Sequence, residues 1–360
     1  MRTWGAGRAR PVMLALGLAV VLGCSAPGGA PAPGTPSKPG GAPTTAAAPG
    51  TAAQPAARRS FQLGVVALVT YMYPMWVAQE RGFWAEQGLD VEITTFQTNE
   101  AVAALVSGSL DVLMCPTDGC VTAVSKGAQI RQVNDFLTEA PYDLIAKPEI
   151  GSVANLRGRK IGVSSLSTGS GTLAKIMLRA RGLNPDDYEL VQAGGNPQRF
   201  AALQAGGVDA SLLSDPVNFA ALQEGYISLL NFTEVVPQYS FTSNWVQNSW
   251  LETPANRDYL VAFQVGQIKA KQWAHDPANK AALIDILIAH TNTTPAIAER
   301  VYNFYAVQNP NIVGVDNLID EPTRAVVNIL TEWENLPPLP PESQWRDPSF
   351  IQRARQRAGL

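Results

Sequence analysis

A short segment of this chain occurs twice. Ala103-Ala104-Leu105, Gly108, Leu110 and Asp111 return as Ala201-Ala202-Leu203, Gly206, Val208 and Asp209, at a constant shift of 98 positions (209 less 111). Each copy reads as a helix, a tight glycine turn and a strand that opens with Asp. Each is preceded by a strand and a Gly-Leu pair (Gly88-Leu89, Gly182-Leu183) and followed by an acidic residue at the strand's exit, Asp118 or Asp215. Between these marks, β-branched and apolar runs alternate with helical stretches, which argues for α/β units over a sandwich or a bundle. Two similar βαβ lobes are the economical arrangement, with convergent turn chemistry as the competing source of so short a repeat.

The pattern predicts strands at 62–69, 90–96, 111–114, 130–134, 160–163, 188–191 and 210–213. Helices are expected at 74–87, with Pro74 early and Gly88 as the stop, and at 99–106 and 198–204, each ending near a Gly. Beyond Pro254 the pattern turns long and helical, over 257–275, 280–290, 295–305 and 322–336. Parallel α/β sheets bind ligands beyond the carboxyl ends of their strands, so two facing lobes share one cleft. The loops that would line it are 70–73, Pro116-Thr117-Asp118, the hydroxyl- and glycine-rich run 164–172 (SSLSTGSGT) and Ser214-Asp215-Pro216. The run 164–172 opens a helix, where backbone N–H groups can hold an anion; Ser170 or Thr172 also serves as an ordinary cap. Trp76 and Trp84 follow helical spacing and read as core.

The N-terminus begins Arg2, Arg8 and Arg10, then an apolar run at 11–23 that is shorter than the roughly 20 residues a membrane-spanning helix needs. That is the anatomy of a signal peptide, 1–23. Its end, Val21-Leu22-Gly23-Cys24, resembles the lipobox of bacterial lipoproteins, although Leu22 stands where a smaller residue is commoner. The resemblance implies a lipid on Cys24 and an extracytoplasmic, membrane-attached protein. Residues 24–59 are almost wholly Pro, Gly, Ala, Ser and Thr, which cannot bury a core and form a linker of roughly 30 Å average reach. A net charge of −3 without a basic stripe gives no support to nucleic-acid binding. Arg346, Arg353, Arg355 and Arg357 read as a solvated tail. With Cys24 lipidated, Cys115 and Cys120 are either a disulfide or two small buried thiols.

The two histidines, His275 and His290, fall in C-terminal helices away from the cleft loops, so no Ser-His-Asp or Cys-His set can form there, and zinc spacings are absent. Gly169, Gly171 and Ala174 fit G-x-G-x-x-A with Glu189 further on. Residues 164–168, however, separate the strand from the first Gly, where a dinucleotide turn starts almost at once.

The order of 74–92 (PMWVAQERGFWAEQGLDVE), 108–112 (GSLDV), 156–163 (LRGRKIGV), 201–209 and Asp215-Pro216 resembles the periplasmic substrate-binding proteins of ABC importers. The branch is the one serving sulfonates, taurine, nitrate and the pyrimidine precursor of thiamine, and the likeness spans about 61–306. It implies a two-lobed, type II-like periplasmic-binding-protein fold. Lobe 1 would be 60–143 with 246–360 and lobe 2 144–245, with hinge crossings near 142–147 and 241–246. It also implies no enzymatic activity, no cofactor or metal, a monomer, and an ABC permease as partner. The ligand set carried over is Tyr71, Tyr73, Thr117, Asp118, Ser164, Ser165, Thr168, Ser170, Asp215 and Trp245. These loops hold no Arg or Lys, although Arg199 could reach, so an aromatic, heterocyclic or neutral ligand is favoured over a small anion. A tethered ligand sensor is the alternative, and a synthase of the thiamine pyrimidine, which shares the fold, a more distant one.

Overall fold

The computed structural model describes residues 58–96, 98–166 and 169–360. Cys24, the leader, nearly all of the linker and Thr168 lie outside the described residues. The strands are β1 (Arg59–Val65), β2 (Leu89–Thr95), β3 (Val112–Pro116), β4 (Ile130–Leu137), β5 (Tyr142–Ala146), β6 (Lys160–Val163), β7 (Glu189–Gln192), β8 (Ala210–Ser214), β9 (Ile227–Asn231) and β10 (Thr242–Gln247). They form two five-stranded sheets, β2-β1-β3-β10-β4 and β7-β6-β8-β5-β9. In the first, β1 pairs parallel with β2 and β3, while β10 runs antiparallel between β3 and β4. The second repeats this, with β6 parallel to β7 and β8 and β5 antiparallel between β8 and β9. Each sheet thus carries one reversed strand at the point where the chain passes to or from the other sheet. This is the two-lobed α/β architecture expected from the sequence.

The internal repeat has a physical basis in these sheets. Gly108 and Gly206 both adopt positive φ (78° and 75°), a conformation open to Gly at little cost. The Asp that follows then ties the third strand of its lobe to the first. Asp111 accepts the Gln62 N–H at 2.7 Å and pairs with Arg59 at 2.8 Å. Asp209 accepts the Lys160 N–H at 2.9 Å and pairs with Arg159 at 3.3 Å. The same shift of 98 also joins Gly64 to Gly162 (162 less 64), a match the sequence reading missed. A Cβ on Gly64 would stand 2.4 Å from Leu110, and one on Gly162 would stand 3.0 Å from Ser211, so close strand packing requires glycine at both.

The helices are α1 (Tyr73–Glu80), α2 (Phe83–Glu86), α3 (Thr98–Val106), α4 (Thr117–Ser125), α5 (Ser170–Ala180), α6 (Asn196–Gln204), α7 (Val217–Gln223), α8 (Pro254–His275), α9 (Lys280–Thr291), α10 (Pro295–Tyr302), α11 (Asp320–Glu334) and α12 (Ser349–Ala358). The first sheet buries one face against α1, α8 and α12 in a core built on Phe61, Trp76, Trp84, Phe263 and Ile351. Trp84 and Trp76 are each 2% exposed, as expected of core residues. Trp84 stacks on Phe263 with centroids 5.4 Å apart and donates its indole N–H to the Phe263 carbonyl at 3.0 Å. That approach is open because α8 has no side chain at Gly266.

Four expectations fail here. Residues 142–147 and 241–246 are largely strand β5 and strand β10, so the chain crosses between sheets at 138–141 and 232–241 instead. Strands β5, β9 and β10 were not expected as strands. The last expected helix, 322–336, begins and ends two residues earlier, as α11. The C-terminal arginines are not all solvated: Arg353 and Arg357 are exposed on α12, but Arg346 is not. Arg346 is 7% exposed and pairs with Asp320 and Glu342, while Phe350, Ile351 and Ala354 of α12 are buried against the first lobe. The preceding segment runs along the outer edge of β4, where the Gln132 N–H meets the Trp345 carbonyl at 2.8 Å and covers an edge otherwise open to pairing.

Candidate functional site

A cavity of about 450 Å³ lies at the carboxyl ends of β3 and β6, between the two sheets. Lobe 1 contributes Pro116, Asp118, Gly119 and Thr122 from the β3 exit and α4, and lobe 2 contributes Ser164, Gly169, Ser170 and Leu173 from the β6 exit and α5. The crossing segments supply three rings, Tyr142, Tyr239 and Phe241, and α11 closes the remaining side with Leu330 and Glu334. None of the described lining residues is basic. A second hollow, of about 540 Å³, lies between α7 and α10, where the Arg300 guanidinium sits 4.9 Å above the Phe219 ring. It too lies between the lobes, with Asp143 and Asn231 beside the carboxyl ends of β8 and β9, but the 450 Å³ cleft is the one that joins strand exits of both sheets, β3 and β6, and is the site to consider.

Local chemistry fixes each wall. A disulfide joins Cys115 to Cys120 and closes the loop that carries Asp118 and Gly119, so the paired state of these two cysteines is the one observed. The Asp118 carboxylate accepts the Gly119 N–H at 2.7 Å. Desolvation in the cleft, joined by the negative charge of Glu334, raises its pKa from 3.8 to about 6 against the pull of that hydrogen bond. Across the cleft, Ser170 Oγ accepts the Ser164 N–H at 2.8 Å, and the two hydroxyls also meet at 2.8 Å. A Cβ at Gly171 would stand 1.9 Å from the Ser165 carbonyl oxygen, so the loop can close over the start of α5 only with glycine there. Thr172 of α5 donates to Glu334 at 2.7 Å, and Arg179 pairs with Glu332 at 3.1 Å, which fastens α11 to lobe 2.

Beneath the cleft floor runs a buried polar chain. Trp245 donates its indole N–H to Ser243 at 2.7 Å, Ser243 and Thr117 hydroxyls meet at 2.7 Å, and Thr117 and Ser240 at 3.1 Å. Ser240 then donates to Asp135 at 2.7 Å, a carboxylate whose pKa burial lifts to about 6. Arg199 is buried, donating to the carbonyls of Leu212 at 2.9 Å and Gly194 at 2.8 Å, and its charge lowers the pKa of the Tyr142 hydroxyl against the effect of burial. The cation considered from sequence therefore stands behind the Tyr142 wall.

Of the expected ligand set, Asp118, Ser164 and Ser170 line the cleft together. Ser165 is half-buried in the same loop. Thr117 is buried beneath the floor, and Tyr71 lies behind Phe241, 6.1 Å between ring centroids, with its hydroxyl 3.3 Å from Thr242. Tyr73 turns the other way, toward His275 at 3.0 Å. Trp245 is fully buried and stacked on Trp345 at 6.4 Å, so it is a core side chain with no face on the cleft. Asp215 is 1% exposed and meets Thr70 of the β1 exit, a contact between lobes outside the cavity lining. Sequence reasoning missed Tyr142, Tyr239, Phe241 and Glu334. Tyr142 and Phe241 sit on the segments expected as hinges and Tyr239 two residues before the second, and their aromatic content is the available signal.

Two sheets of matching order, a cleft at their facing strand ends and a polar, aromatic lining define a protein of the periplasmic-binding-protein fold. Residues 69–279 match the NMT1/THI5 like family, and the chain belongs to it. Its fold is similar to that of the alkanesulfonate-binding protein SsuA from Xanthomonas axonopodis pv. citri bound to MOPS. That likeness has a TM-score of 0.65 at 18% identity and covers 81% of this chain and 100% of that one. A putative binding protein, YtlA of Bacillus subtilis, is 23% identical over 250 residues, 66% of this chain and 72% of its own length. The 4-amino-5-hydroxymethyl-2-methylpyrimidine phosphate synthase THI13 of Saccharomyces cerevisiae is 26% identical over 162 residues, 43% of this chain and 45% of the yeast protein.

Proposed function

We propose that the protein is the extracytoplasmic solute-binding component of an ABC importer, capturing a small organic ligand between its lobes and delivering it to a permease. The lobes, expected as 60–143 with 246–360 and 144–245, are assigned with bounds moved to the crossings, 60–137 with 242–360 and 142–231, because β5 pairs in the second sheet and β10 in the first, and they close by hinge motion about those crossings. The carrying observation is the 450 Å³ cleft, shared by the exits of β3 and β6 and walled by three aromatic rings, a volume and lining suited to a small flat molecule. Tyr142, Tyr239 and Phe241 favour an aromatic or heterocyclic ligand over a small naked anion. A lipid on Cys24 and the flexible linker would hold this monomeric binder near its membrane partner while leaving it free to turn. The synthase reading finds less support, because His275 is engaged by Tyr73 at 3.0 Å and His290 by Glu80 at 2.6 Å, both away from the cleft.

The test is a thermal-shift screen of sulfonates, nitrate, aromatic carboxylates, pyrimidines and flavin-like rings. A true ligand raises the melting temperature of the native protein, and Asp118→Ala combined with Phe241→Ala abolishes the shift. A stabiliser indifferent to both substitutions refutes the cleft assignment. Loss of membrane fractionation in Cys24→Ala tests the anchor.

A further inference from the structure

We infer that Glu334, on α11, is a specificity-determining residue of the cleft, which with Asp118 selects a flat ligand carrying a protonated nitrogen, a benzylic ammonium or an amidinium. The inference rests on the reading of the cleft as the capture site and goes beyond it by naming the ligand's charge and the residue that sets it. α11 lies outside residues 69–279, the span that matches the family, so the family match assigns nothing to it.

Four observations converge. First, Glu334 and Asp118 line the same cavity from opposite elements, α11 and α4, and no described lining residue is basic to neutralise them. Their mutual effect is visible in Asp118, whose proton is held more tightly because Glu334 is near. Second, Glu334 is the last residue of α11, with Asn335 as the left-handed cap. A carboxylate there adds to the negative end of the helix dipole, an unfavourable placement for the fold alone. Third, the Tyr239 side chain is 3% exposed and lines the cavity, yet among the described residues no hydrogen bond is made to its hydroxyl. The hydroxyl itself is open to the cavity, where a ligand N–H or carbonyl can pair with it. Fourth, Tyr142 and Phe241 meet edge to face at 5.6 Å and offer ring surfaces on which a cation or a flat ring is attracted. Paired carboxylates beside aromatic walls favour cations and repel benzoate-like anions by the same charge, so the discrimination has an attractive and a repulsive part.

Three probes matched in shape and differing in charge test this by calorimetry on the full chain at neutral pH: benzylamine, benzyl alcohol and benzoate. Benzylamine is expected to bind most tightly and benzoate least. Glu334→Gln keeps an oxygen to accept from Thr172 and removes the charge. It should weaken benzylamine roughly tenfold or more and leave benzyl alcohol unchanged, with no shift in melting temperature. Asp118→Asn should act in the same direction. If benzyl alcohol or benzoate binds as tightly as benzylamine, or if Glu334→Gln weakens all three probes equally, the inference is overturned while the capture reading stands. If none of the three binds at millimolar concentration, the inference is overturned, and the capture reading is decided by the thermal-shift screen alone.

Discussion

Asp215 offers the most direct test of how this fold handles buried charge. Its carboxyl is 1% exposed, accepts a hydrogen bond from Thr70 and faces the Tyr305 hydroxyl, and its pKa is raised from 3.8 to about 6, chiefly by desolvation. The charge of Asp143 nearby contributes to that rise, and the hydrogen bonds oppose it. A folded-state pKa above the unfolded value means that the stabilisation is fully present below about pH 4 and is lost as pH rises through about 6. Two units at about 1.4 kcal/mol each make the ionised group destabilising by ~3 kcal/mol at neutral pH. Asp215→Asn leaves an oxygen for Thr70 and no charge to desolvate. We expect the variant to match the native protein near pH 4 and to exceed it by ~2–3 kcal/mol near pH 7.5, read from urea unfolding at both. Asp118 and Asp135 titrate alike in both proteins and cancel in the comparison. An advantage that is the same at both pH values, or a variant less stable at pH 7.5, would falsify the assignment of a desolvated charge to this contact.

Gly266→Ala places a Cβ 2.2 Å from Trp84, whose indole is stacked and hydrogen-bonded in place, and should cost about 1–3 kcal/mol in urea unfolding; a native midpoint refutes the close packing. Asp111→Ala removes the partner of Arg59, the Gln62 N–H and the Trp250 indole, and should cost about 2–3 kcal/mol. Asp209→Ala should cost less, because the Arg159–Asp209 pair is 51% and 31% exposed against 28% and 10% for Arg59–Asp111. Reducing Cys115–Cys120 opens a loop of sequence separation 5 and should lower stability by about 2 kcal/mol. Two titratable thiols in the unreduced, unfolded protein would contradict the bridge.

What the sequence reveals of this fold is what local chemistry repeats. Gly108 and Gly206 need positive φ and Asp111 and Asp209 tie strands together, so both constraints leave the same letters at the same spacing in each lobe. Strand β10 (TSNWVQ) hides because its Ser243 and Asn244 are buried in a polar layer with Thr117, Asn134 and Gln267, and a polar run does not read as a central strand. Helix α12 hides because its buried stripe is only Phe350, Ile351 and Ala354 among arginines. In the cleft, Asp118, Ser164 and Ser170 are legible as strand exits. Trp245 misleads, since an aromatic ring near a crossing suits a ligand as well as a core, and only the facing Trp345, 100 positions on (345 less 245), decides between them. Glu334 carries no local signal at all, because its role depends on where α11 docks.

Two carboxyls with pKa near 6 stand on either side of one proposed capture event, and their effects on affinity oppose each other. Asp118 lies in the cleft, faced by Glu334, Tyr142 and Tyr239, and must be ionised to hold a cation, so acid weakens the grip. Asp215 lies at a contact between lobes, faced by Thr70, Tyr71, Tyr305 and Asp143; if closure is what brings these groups around it, acid there neutralises a charge that closure desolvates and so eases closure. If binding requires closure, the affinity of a cationic probe such as benzylamine falls by less than tenfold per pH unit below about 6, because one effect offsets part of the other. Asp215→Asn removes the compensating group and should steepen that fall toward tenfold per unit, whereas Asp118→Asn should flatten or invert it. Identical slopes in the native protein and Asp215→Asn would separate the lobe contact from ligand capture and leave Asp215 a purely structural acid.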